Sequence, residues 1–223
     1  MSYQDQLTFQ SESALSMNPV LRKTYLLLAT TLLFSALVAG WAMFSNAAPM
    51  NPFLMLVGYF ALLFLTNATR HSAWGLVSVF ALTGFLGYTL GPVLNLYIHA
   101  FSNGTQIVTT SLGATGVIFV ALSAYTLVTK KDFSYLAGFI FIGITLAFIG
   151  GLIGLFLNIP ALDLLVSMAF ALISSGYILF ETSLIVRGGE TNYIMATVTL
   201  YVAIFNLFLS LLRILSFFSG GRR

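Results

Sequence analysis

The sequence contains no cysteine and only two histidines, His71 and His99. The first absence excludes disulfides, thiolate metal sites and cysteine nucleophiles. The second leaves zinc chemistry of the usual kind almost nothing to work with. Charge is scarce as well. Only 7% of residues are charged and 59% are apolar, whereas a soluble domain carries about 25% charged residues. A soluble chain this poor in charge would expose apolar surface over most of its area. In lipid the same surface is correct, because the solvent is as apolar as the side chains. Nine basic groups against six acidic ones give a net charge of +3, too few for a nucleic-acid surface. Nothing in the composition implies a cofactor.

What is present is a series of long apolar runs. A helix needs about 20 apolar residues to cross a bilayer. Seven stretches qualify: 24–46, 52–68, 73–97, 107–129, 135–157, 161–186 and 193–218. The fifth and sixth are separated only by Asn158, Ile159 and Pro160, but together they are far too long for one crossing. The expected fold is therefore an all-α membrane protein of seven transmembrane helices. It divides into a polar tail (1–20), a seven-helix domain (21–219) and a short basic C-terminal tail (220–223). The first of these, Met1 to Val20, has no basic n-region and reads as a tail, not a cleaved signal peptide.

The basic residues fall on one side of these spans. Arg22 and Lys23 precede the first, Arg70 and His71 follow the second, Lys130 and Lys131 follow the fourth, and Arg187 follows the sixth. The alternate loops 47–51, 98–106 and 158–160 contain no Lys or Arg. The positive-inside rule places the N-terminus in the cytoplasm and the C-terminus outside. Arg222 and Arg223, at the outer end, run against the rule.

Small residues recur at four-residue spacing, as Gly87 with Gly91 and Gly150 with Gly154. Such spacing lets helix backbones approach closely, either inside one monomer or at a dimer interface. Gly91-Pro92 is expected to bend or break the third span. The oligomeric state is not legible.

A charge at mid-bilayer costs roughly 2.5 to 3.5 kcal/mol, so each one needs a reason. Three ionisable residues lie within spans: Asp163, Glu181 and Arg213. Counting about 1.5 Å per residue places Glu181 about 9 Å from the inner end of the sixth helix. Arg213 lies about 30 Å up the seventh helix, near the height of Asp163. Asp163 and Arg213 are therefore a candidate structural pair, or each snorkels into headgroups alone. Glu181 has no basic residue at its depth on either helix. Thr199 and Ala203 stand level with it on the last helix, and neither ionises. A lone carboxyl in low dielectric favours its neutral form. Glu181 is accordingly either a proton-sensing group or a protonated side chain bonded to a neighbouring oxygen. Intramembrane catalysis has no footing, because no Ser–His pair, aspartate dyad or metal motif can assemble.

Three stretches carry a family resemblance: GFLGYTLGPVLNLY at 84–97, KKDF at 130–133, and SSGYILFETSLIVRGGETNYIMATVTLYVAIFNLFLSLL at 174–212. The chain resembles the Bax-inhibitor-motif membrane proteins, in their bacterial YccA-like branch. The resemblance implies a seven-helix fold with the last helix central, a cytoplasmic N-terminus and a place in the bacterial inner membrane. It implies two activities. Some members of the family look like pH-sensitive calcium leak channels gated by two acids, one on each of the last two helices. Glu181 matches the first acid, and the second falls at Ala203, which has no carboxyl. The family's partner Arg falls near Thr69 and Arg70. The YccA-like branch binds the membrane AAA protease FtsH, and it similarly lacks the second acid. The resemblance thus implies a protease modulator that acts by binding, with a calcium or proton leak as the alternative. Met1 to Val20 would be a segment such a protease can engage.

Overall fold

A computed structural model describes residues 19–157 and 159–220. Seven helices follow one another: α1 (Pro19–Phe44), α2 (Pro52–Thr69), α3 (Trp74–Ala100), α4 (Gly104–Thr129), α5 (Leu136–Leu157), α6 (Pro160–Arg187) and α7 (Tyr193–Gly220). All seven are long and apolar enough to cross a membrane, as their sequence requires. The polar tail lies outside the described residues as far as residue 18, and so do Arg222 and Arg223.

Local chemistry sets the helix ends. Asn51 caps α2, its side-chain oxygen accepting from Phe53 N–H at 2.9 Å, and Pro52 occupies the first turn, where its missing N–H costs nothing. Pro160 starts α6 in the same way. Gly188 ends α6 with φ of 78°, and Gly189 N–H donates to Leu184 O at 2.8 Å. Glycine enters that left-handed conformation without the cost of a Cβ.

The last helix is the central one. It packs against α1, α3, α4 and α6, and its buried residues run from Ile194 to Ser216. The other two helices stand outside this ring: α2 leans on α3, and α5 on α6. Four helices, not six, thus surround α7 directly. Lipid solvates the free faces of α2 and α5 as well as protein would, so nothing forces them inward.

The glycine spacings serve packing within the monomer. A Cβ on Gly87 would run into the carbonyl oxygen of Ser35, and one on Gly91 would meet Ala42 Cβ at 2.6 Å. These two positions bring α3 against α1. Gly150 faces Val166 and Gly154 faces Asp163, which brings α5 against α6. The expected break at Gly91-Pro92 does not occur, since α3 runs unbroken through Pro92. Proline removes one ladder bond, but Gly91 is buried against α1 there, and the packing holds the helix in one piece. Tyr201 binds the centre together. It is 1% exposed, its hydroxyl lies 2.5 Å from Ser35 Oγ on α1, and it donates to Thr83 O on α3 at 3.3 Å.

Candidate functional site

The face that carries the basic loops is laced together. Arg187 pairs with Asp132 at 3.1 Å, the only ion pair among the described residues. Asn192 donates to Arg70 O at 2.9 Å while its side-chain oxygen accepts from Ile194 and Met195 N–H, capping α7. Lys23 sits over the Tyr193 ring. Three loops and the start of α1 are thus joined at one surface. Hydrogen bonds from Ser134, and then the Arg187 guanidinium, hold the Asp132 carboxyl below the usual carboxylate range. The KKDF and VRGGETNY stretches meet here, which gives their residues a structural use.

Glu181 points into the interior above this surface. It is 5% exposed, and its Oε1 has no hydrogen-bond partner. A buried oxygen in that state is rare in folded proteins. One helical turn away, Tyr177 lines a cavity of about 460 Å³ that also takes in Tyr59, Asn67, Ser174, Thr199 and Asn206. Ala203 lines it too and packs against Ile178 in the core. Thr199 and Ala203 therefore share a chamber beside Glu181, although Glu181 is not among the lining residues.

Asp163 and Arg213 line a second cavity, of about 770 Å³, at the opposite face. They form no ion pair with each other. Both cavities open between α2 and α5 and meet at Phe170, which lines both. His99 belongs to the last turn of α3 and not to a loop, its Nδ1 donating to Asn95 O at 2.8 Å.

Reading the sequence for charges alone passes over the amides and phenols of the first cavity. Their signal was present: Asn67 and Asn206 are amides inside otherwise apolar helices, and a polar group in hydrocarbon needs a partner or a water-filled space.

Comparison with known proteins places this arrangement. The family model described as inhibitor of apoptosis-promoting Bax1 matches residues 17–220. A protein from Escherichia coli K12 named modulator of FtsH protease YccA is 49% identical over 207 residues, covering 93% of this chain and 94% of that one. An Escherichia coli O6:H1 relative equally similar is named inner membrane protein YccA. An uncharacterised membrane protein from Vibrio cholerae is 42% identical over 96% of both chains. The match runs through all seven spans, and the chain belongs to the Bax inhibitor family as a multi-pass inner-membrane protein.

Proposed function

We propose that this protein binds the membrane AAA protease FtsH and modulates its degradation of membrane proteins, acting by binding and not by catalysis. The observation that carries this reading is the relative named as an FtsH modulator, similar at 49% identity over nearly the full length of both chains. The laced face supports it: a cytoplasmic protease meets the side that carries the basic loops under the positive-inside rule. In this reading the N-terminus is cytoplasmic, the C-terminus is outside, and the polar tail from Met1 to Val20 is the handle. Deleting the tail should lower co-purification with FtsH from bacterial membranes or lengthen the chain's own half-life. If both stay as in the full-length chain, the tail is not the handle. If the intact chain fails to co-purify with FtsH, the binding reading falls.

A second reading, a pH-sensitive leak for calcium or protons, draws on the buried Glu181 oxygen that lacks a partner. Flux into liposomes across about pH 5 to 8 should then depend on pH and lose that dependence in Glu181→Gln. Equal flux at every pH in both proteins rejects it.

A further inference from the structure

The gap between α2 and α5 is a trough in the membrane, floored by α6 and α7. Its two cavities, about 460 and 770 Å³, meet at Phe170, and each has the size of a ligand pocket. The walls are largely apolar, with Met55 and Leu56 on one side and Phe148 and Leu152 on the other. The wide end differs. There Asp163 and Arg213, of opposite sign and both exposed, line the same cavity. Among the described residues neither side chain has an ion-pair or hydrogen-bond partner. The Asp163 carboxyl rests against Gly154, where a Cβ would come within 2.8 Å of it.

An apolar trough headed by an acid and a base that do not neutralise each other complements a zwitterionic amphiphile. We propose that this cleft seats one phosphatidylethanolamine molecule. Its phosphate accepts from Arg213, its ammonium donates to Asp163, and an acyl chain runs past Phe170. Two carbons separate phosphate from ammonium, so a single headgroup offers one charge to each of the two side chains. Phosphatidylglycerol would satisfy Arg213 but bring hydroxyls where Asp163 needs a cation. Phosphatidylcholine brings a trimethylammonium with no N–H to donate.

The test titrates the purified full-length protein with phosphatidylethanolamine, phosphatidylglycerol or phosphatidylcholine of matched chains, counting retained lipid by native mass spectrometry. Phosphatidylethanolamine should be retained roughly tenfold more tightly than either competitor, the scale of one charged hydrogen bond. Arg213→Gln should lower retention of all three. Asp163→Asn should bring phosphatidylethanolamine down to the phosphatidylglycerol level and leave phosphatidylglycerol unchanged. Gly151 lines the cleft, and a Cβ there meets nothing within 4 Å. Gly151→Leu therefore fills the trough in a folded protein and should abolish retention. Gly113→Leu, equally open but on α4, should not. Equal retention of the lipids by the wild type overturns the proposal, as does wild-type retention in Gly151→Leu. Preference for phosphatidylglycerol through Arg213 alone assigns the cleft to an anionic lipid instead. No phospholipid on the folded wild type also overturns it and leaves the trough to a protein helix.

Discussion

Two halves of this molecule obey different packing rules. In one, α1 and α3 approach until backbone meets backbone, and the buried Tyr201 hydroxyl of α7 reaches both. In the other, α2 and α5 each lean on a single main neighbour and leave a trough between them. In water the second arrangement would collapse, because apolar faces would be driven together. In lipid that drive is absent, and only close van der Waals packing and interhelical hydrogen bonds hold helices to each other. The glycines and Tyr201 therefore decide which helices form the fixed frame. On α2 and α5 the glycines with a close neighbour, Gly58, Gly143, Gly150 and Gly154, face α3 and α6 alone.

The same substitution made in both halves breaks the comparison most sharply. Gly87→Leu drives a side chain into the Ser35 carbonyl, which is backbone and cannot swing aside. The expected cost is roughly 3 kcal/mol or more, enough to lose a monodisperse peak on size-exclusion chromatography in detergent. Gly151→Leu meets open space and should leave the peak and the melting temperature near wild type. Equal behaviour of the two variants would show that the frame is not set by close approach. Next in size is Asn192→Ala, which removes the α7 cap and the tie to Arg70 O together. Losing the cap alone costs about 1 kcal/mol, read as a lower melting temperature. Smaller again is Tyr201→Phe, which keeps the ring and removes the hydroxyl between Ser35 and Thr83. Interhelical hydrogen bonds in membranes average about 0.6 kcal/mol and reach about 1.7, so a loss in that range is expected in the same melt.

Much of the frame was legible in the sequence. The long apolar runs marked seven spans whose ends moved by a few residues, because length and hydropathy are one-dimensional properties. Gly87 with Gly91 and Gly150 with Gly154 announced close approach, and the packing used them inside the monomer. The fate of Pro92 was not legible, since the helix survives through what α1 presents to it. Depth counting put Asp163 and Arg213 at one height, and they do line one cavity. It could not say whether they pair, because position around a helix bundle depends on which neighbours pack tightly, and they form no ion pair. For the same reason the trough was invisible: nothing in the α2 or α5 sequence says that each finds one neighbour and stops.

The smallest effect concerns the laced face, where acidity sets the strength of one tie. Asp132 accepts from Ser134 and pairs with Arg187, and both hold its carboxyl below the usual carboxylate range. A carboxyl depressed on folding adds stability above its unfolded value, and that stability fades as pH falls through the folded value. At neutral pH, Asp132→Asn should therefore lower the melting temperature by less than Tyr201→Phe does, because both members of the pair are about half exposed and water screens them. Arg187→Gln should do less still, because the Ser134 bonds depress the carboxyl more than the guanidinium does. As pH falls through that depressed folded value both differences should shrink toward zero, since the wild-type carboxyl is then itself protonated. A difference that persists undiminished in acid would mean that Asp132 acts through packing and not charge. The lacing would then rest on Asn192 and on Lys23 over Tyr193.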